Sequence, residues 1–362
     1  MKNLPDGNAV VYCQGAFNTL CGKTAHGLVR HTRRYRVTSV IDSEYAGRDA
    51  GDVLESVPNG IALLADLNQA LEYAKQSGFP ATHFVVGLAP DGGRLSASAR
   101  NDVLRAVESG LNVDCGLHDY LSEDPEIASA AKKAGVAIRD IRKPPHTRSL
   151  HFFTGKIEAV TSFKIAVLGS DSAIGKRTTA WILLNALEKR GLCSEMIGTG
   201  QTAWMQGATY GVILDALAND FVTGEIEHAV WSAWQGSHPD VIIIEGQGGI
   251  MNPAYPGGFE ILAAGRPDAV IFQHAPNRTE YDGFPGYAMR PLSDQIRLVE
   301  LLCGKPVAAI TLNHEGFEPQ DVPLVCRTLE NTLSLPVYDV LLDHGEPLGD
   351  RLTTLIQRRM QS

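Results

Sequence analysis

A chain of 362 residues is longer than one hydrophobic core usually serves, so two domains are expected. Hydrophobic residues at 44% and charged residues at 20% are ordinary for a globular protein and speak against disorder. A net charge of −9 without a basic stripe excludes a nucleic-acid surface. It leaves small anionic ligands open, because backbone amides can gather a phosphate on an acidic protein.

Six cysteines, Cys13, Cys21, Cys115, Cys193, Cys303 and Cys326, stand singly with no CxxC pair. That pattern is neither a zinc site nor a disulfide framework and fits a reducing compartment. The N-terminal residues are broken by Pro5, Asp6, Gly7 and Asn8 before a signal-peptide core could form. No run approaches the ~18 apolar residues of a membrane helix. The expectation is a cytoplasmic, soluble protein with no membrane partner, and a homo-oligomer by the general habit of such enzymes.

The first half alternates strands and helices. A buried strand over 9–17 runs into a glycine turn, a helix covers 23–34, and a second strand over 36–42 ends on Asp42. A strand at Ile61–Asp66, a helix at Leu67–Gln76, a strand at 83–90 and the turn Asp91-Gly92-Gly93 follow. A helix over 96–110 then leads to the short strand at Asn112. Such alternation implies a parallel sheet with helical crossovers. The first turn, GAFNTLCG, is not the glycine fingerprint of a dinucleotide fold, so no NAD site is expected despite Asp42 at the end of the second strand. Arg48 and Arg94 are the basic candidates for that domain's cleft.

Consecutive prolines at Pro144 and Pro145 enforce extended backbone and mark a linker. The expected division is 1–145, one parallel sheet with helical crossovers, and 146–362, a second. The fold class is therefore two-domain α/β. The halves echo each other faintly: each has an apolar strand, a glycine turn and a Gly-Lys pair opening a helix, Gly22-Lys23 and Gly175-Lys176. At Gly15–Thr24 the large side chains of Phe17 and Leu20 would crowd a phosphate, and a plain strand-to-helix turn is expected.

The second half restarts at SFKIAVLGSDSAIGKRTT. Between its strand and its helix lies the loop Gly169, Ser170, Asp171, Ser172, Ala173, Ile174, Gly175, Lys176, Arg177, Thr178. Glycines let N–H groups curl around an anion, the helix start adds partial positive charge, and Lys176 neutralises phosphate oxygens. Thr178 or Thr179 can supply a hydroxyl to phosphate or metal. Five residues rather than four separate Gly169 from Gly175, and Arg177 stands where Ser or Thr usually follows the lysine. This expansion resembles the loop of dethiobiotin synthetase and related amide-forming enzymes.

Further strands, CSEMIG, DVIIIEGQGG, DAVIFQHAP and VAAITLNHE, end in polar residues or glycine, where ligands of open α/β sheets sit. Glu245 can serve as a base or reach Mg²⁺ through water. Gln201 and Thr202 can orient a substrate. Asp215 and Asp220 lie five apart, a spacing that does not share one helical face, so at most one serves a site. His274 can accept a proton from an amine, although a lone histidine is more often structural. Arg278 can clamp a carboxylate. Asn313 can read a nucleobase or simply cap a turn.

The segments IDSEYAGRDAG, GLAPDGGRL, GSDSAIGKRTT, TGQTAWMQGATYGVILDALANDF, EGQGGIMNPAYPGG and QHAPNR together resemble one family, from about Tyr12 to about Leu341. It is the D-glutamate N-acetyltransferase-like family, long catalogued as a domain of unknown function. The resemblance implies a Rossmann-like domain followed by a P-loop domain, and transfer of acetyl from acetyl-CoA to the amine of D-glutamate. Lys176 and Thr178 match the family's Gly-Lys-x-Thr. The sequence departs at Glu245-Gly246-Gln247-Gly248-Gly249, where relatives carry serine after Glu-Gly-Gln.

Three readings stand. The first is an acetyl-CoA-dependent N-acetyltransferase acting on an acidic amino acid, with His274, Glu245 and Asp220 as base candidates in that order. In it the loop, Thr179 and Asn313 bind the cofactor, and Gln201, Thr202, Arg278 and Arg94 hold the substrate. The second is an ATP- and Mg²⁺-dependent enzyme that activates a carboxylate, with Thr178 and Glu245 on the metal. The third is a non-enzymatic nucleotide or CoA sensor.

Overall fold

A computed structural model describes residues 5–360. The chain divides into two compact units, the first running to Pro144 and also taking Gln201–Gly207, the second comprising Pro145–Gly200 and the chain from Ala208 onward. The expected domain of 146–362 is therefore not one continuous body. The short helix Gln201–Gln206 belongs to the first unit, fastened to the helix Lys23–Arg30. Gln206 Nε2 donates to Gly27 O at 2.7 Å and His31 O at 2.9 Å.

The first unit is built on β1 (Gly7–Tyr12), β2 (Tyr35–Ile41), β3 (Ala62–Leu64), β4 (His83–Val86), β5 (Asn112–Cys115) and β6 (Ile138–Asp140). All pairings are parallel, in the order β3-β2-β1-β4-β5-β6. Two apolar clusters cover its faces, one around Phe84 and Val113, the other around Phe17 and Val40. The helix expected over 23–34 stops at Arg30, because His31 is already extended at φ −161° and the chain turns directly into β2. The helix Leu67–Gln76 forms as expected, with the Asp66 side chain capping Gln69 N.

The second unit holds β7 (Phe163–Gly169), β8 (Ser194–Gly198), β9 (Tyr210–Gly211), β10 (Val241–Glu245), β11 (Ala269–His274), β12 (Val307–Leu312) and β13 (Val337–Tyr338). They form a parallel sheet in the order β13-β12-β11-β7-β10-β8-β9. The runs KIAV, VIII and AVIF are rich in β-branched residues and buried on both faces, as strands sheathed by helices must be. Register decides what surrounds the end of β7: Val167 pairs with Glu245 and Gly169 with Gln273. The ends of β10 and β11 thus flank the start of the glycine loop. Among the described residues no helix is long and apolar enough to cross a membrane.

Candidate phosphate-binding site

The strand β7 ends on Gly169, where any Cβ would lie 2.7 Å from Ile174 Cδ1 and 2.9 Å from Gln273 O, so glycine is needed for the loop to close on itself. Ala173 and Gly175 take positive φ values of 51° and 103°, and Lys176 opens a helix running to Lys189. The leading amides of a helix have no intrahelical acceptor; here the helical bonding begins with Thr179 N, which donates to Gly175 O at 2.9 Å. The Lys176 side chain does not enter the apolar interior. Its Nζ donates to Asp171 O and Gly248 O, both at 2.6 Å. Burial pulls its pKa down to about 8 against the opposing pull of Asp171 and Glu245. An ammonium resting on two carbonyls beside a helix start is the arrangement that takes up phosphate oxygens.

Asp171, fully buried, ties the surroundings together rather than facing a ligand. Its Oδ1 accepts from Ser172 N (2.8 Å) and Asn252 Nδ2 (2.7 Å), its Oδ2 from Asp282 N (2.9 Å) and Arg278 Nη1 (3.3 Å). Arg278, expected to clamp a substrate carboxylate, is already committed. It grips Glu315 through Nε at 2.5 Å and Nη2 at 3.0 Å, and donates to Ser172 O at 2.9 Å. Ser172 Oγ in turn donates to Asp282 Oδ2 at 2.9 Å. The arginine braces the loop from outside.

Asn313 follows β12 and also serves the loop: its Nδ2 donates to Ile174 O at 3.1 Å while its Oδ1 caps Glu315 N at 3.0 Å. These contacts are those of the turn-capping alternative. Thr179 is spent as well, donating to Gln273 Oε1 at 2.6 Å beside Thr311 at 2.5 Å. Thr178, the other threonine here, is half-buried.

The three base candidates separate clearly. His274 is buried, its Nδ1 bonded to Ser170 Oγ at 2.9 Å, and burial lowers its pKa to about 4. An imidazole so weakly basic is a poor acceptor for the proton of an ammonium. Glu245 is buried at the end of β10, where desolvation raises its pKa against the pull of Arg177 and the Thr199 amide and hydroxyl. Thr199 N reaches its Oε2 at 2.8 Å. Asp220 is exposed in the first turn of the helix Asn219–Ser237, and Asp215 lies outside that helix, in the turn Leu214–Ala216.

The other expected substrate groups belong to the first unit. Thr202 is buried, its hydroxyl 3.1 Å from that of Thr24, which makes it a packing residue. Gln201 opens the same short helix, its side chain against Gly116. Arg94 is largely exposed, its guanidinium 4.0 Å from Asp119. Sequence reading missed Asn252, Gln273 and Asp282, whereas Thr199 and Gly248 lie in strand-end segments it had marked. At the pair Gly248-Gly249 a Cβ on Gly249 would sit 2.9 Å from Asp171 Cα, so this turn abuts the loop.

A family model described as the P-loop domain of a domain of unknown function, DUF1611, matches residues 151–348, and the Rossmann-like domain of the same family matches residues 43–144. A protein of Tritonibacter scottomollicae named D-glutamate N-acetyltransferase is 29% identical over 307 residues, 83% of this chain and 89% of its own. One of the same name from a Pseudoalteromonas species is 30% identical over 292 residues, 79% of this chain and 85% of its own. The crystal structure of a DUF1611 family protein from Anabaena variabilis superposes with a TM-score of 0.87 at 26% identity, covering 96% of this chain and 99% of that one.

Proposed function

We propose, on the premise that this chain belongs to the DUF1611 family, that it transfers acetyl from acetyl-CoA to the amine of an acidic amino acid, D-glutamate first among them. The observation that carries the donor is the Lys176 ammonium, held at the loop by two carbonyls in a position a diphosphate can take over. Coenzyme A carries a diphosphate and an adenosine 3′-phosphate, and a glycine loop can hold these without hydrolysing anything. The residues fit the group: Gly169 and Gly175 shape the loop, and Lys176 with the amides of Gly175 and Thr178 would hold the phosphates. Bound acetyl-CoA supplies the activated acyl group.

The chain's own residues must then free the amine. A glutamate α-amine is an ammonium at neutral pH and has no lone pair for attack, so a base must accept a proton. Glu245 is the group we assign to this step, because burial makes its carboxylate more basic while it makes His274 less so. The Thr199 amide and hydroxyl hold the carboxylate in place. Arg278 acts indirectly, by fixing the loop.

The decisive experiment incubates the protein with acetyl-CoA and each glutamate enantiomer and follows free thiol and product mass. Glu245→Gln is expected to lower kcat by about 10²-fold with a much smaller change in KM. No thiol release across a panel of amino acids would remove the proposal. ADP formed from ATP and Mg²⁺ with a small acid would replace it with carboxylate activation, and tight CoA binding without turnover would replace it with a sensor.

A further inference from the structure

We propose that the first unit is a dinucleotide-type sheet whose cofactor position is filled from within, by the carboxylate of Asp42. The strand order β3-β2-β1-β4-β5-β6 is the one in which dinucleotides lie across the crevice beyond β1 and β4, with the pyrophosphate on the first turn and an acid after β2 on the ribose. Each of those groups is present here and already used.

Asp42 directly follows β2 and is fully buried. Its Oδ2 accepts from Phe17 N at 2.8 Å and Ala16 N at 3.1 Å, and its Oδ1 from Glu44 N at 2.9 Å. The acid that would read a ribose is turned back into the turn after β1, and its charge sits on the amides that would meet a phosphate. Phe17 is buried in the core beneath, with its carbonyl against His26 Nε2. The helix Lys23–Arg30 does not offer its start either. Ala25 N donates to Gly87 O at 3.0 Å, and Ala89 N to Cys21 O at 2.6 Å, so the segment after β4 is laced to the first turn where a pyrophosphate would pass. At Gly22 a Cβ would stand 2.9 Å from Phe17 O. That glycine serves the packing of the turn on itself, not the approach of a ligand.

The amides of the first turn are therefore taken up by the Asp42 carboxylate itself. This inference is independent of the acetyl transfer proposed above. It implies that removing the Asp42 carboxylate leaves buried donors that a small carboxylic anion can satisfy.

The test uses the full-length protein. Titration with NADH and NADPH, followed by nicotinamide fluorescence, is expected to show no saturable binding up to about 1 mM. Asp42→Ala is expected to lower Tm by roughly 5 °C or more, since buried amides lose their acceptor. Formate at about 100 mM should restore at least half of that loss, while chloride at equal ionic strength should not. Saturable NADH binding that Asp42→Asn abolishes would overturn the proposal, because the carboxylate would then be reading a ribose. So would a variant whose Tm responds to formate no more than the wild type does. Should Asp42→Ala fail to fold alone, recovery of soluble protein with formate but not chloride supports the proposal, and failure in both overturns it.

Discussion

The two units begin alike. Each carries an apolar strand into a glycine turn and then a Gly-Lys pair that opens a helix, after β1 in one and after β7 in the other. A buried aspartate governs each turn, but from opposite directions. Asp42 arrives from the neighbouring strand and spends its charge on the turn's amides. Asp171 lies within its own loop and spends most of its capacity outward, on Asn252, Arg278 and Asp282. The lysines differ accordingly: Lys23 is exposed, whereas Lys176 is buried against Asp171 O and Gly248 O. A carboxylate turned into a glycine turn takes up its amides, and one turned outward ties its loop to the surroundings. The Gly-Lys pair recurs in both, but the first turn has six residues rather than five between its glycines and carries Phe17 and Leu20.

Exchange of the two lysines breaks the comparison most directly. Lys176→Met is expected to lower kcat/KM for acetyl-CoA by roughly 10³-fold, with Lys23→Met within about twofold of wild type. Equal effects in steady-state kinetics would mean that the two turns do the same work. Next in size is Asp171→Asn, which leaves the Arg278 guanidinium facing an amide and should cost roughly 3 kcal/mol in urea unfolding. It should also raise the KM for acetyl-CoA, because the loop loses its ties. An unchanged KM at reduced stability would separate the brace from the ligand.

The pH response sharpens the same contrast. The Lys176 pKa is lowered by burial to about 8 from 10.5, so the ligand-free native state binds fewer protons than the unfolded chain between those values. Its contribution to stability therefore rises as pH climbs through that window. Affinity for acetyl-CoA should move the other way, falling by about 10-fold per unit once the ammonium deprotonates above pH 8. Calorimetric binding between pH 7 and pH 9, compared with Lys176→Met, reads this out, and a pH-independent affinity would exclude the lysine as the phosphate group's partner. The smallest effect is at Thr202. Losing its hydroxyl partner Thr24 in Thr202→Val should cost about 1 kcal/mol in unfolding and leave the KM for D-glutamate unchanged. A raised KM would return Thr202 to the substrate.

Much of the architecture was legible in the chain. Runs such as Ile242-Ile243-Ile244 followed by polar residues mark buried parallel strands, and the span from Phe163 to Lys189 declares strand, loop and helix through local propensity alone. The position of Glu245 and His274 at strand ends was equally readable. Their chemistry was not. Burial disfavours the charged form of each, which makes the carboxylate more basic and the imidazole less so, and that burial is a product of tertiary packing.

What tertiary structure alone decided is the pairing of distant groups. Asp171 meets Asn252 and Asp282 across 81 and 111 residues, and Asp42 meets Phe17 across 25. No local periodicity encodes such contacts, because they follow from strand order and register once the sheets have formed. The same holds for Gln201–Gly207, which reads as a continuation of the second half and folds with the first. Short-range patterns fix which segments become strands, loops and helices. Which amides a buried carboxylate takes up is settled only after the chain has closed on itself, by strand order and register.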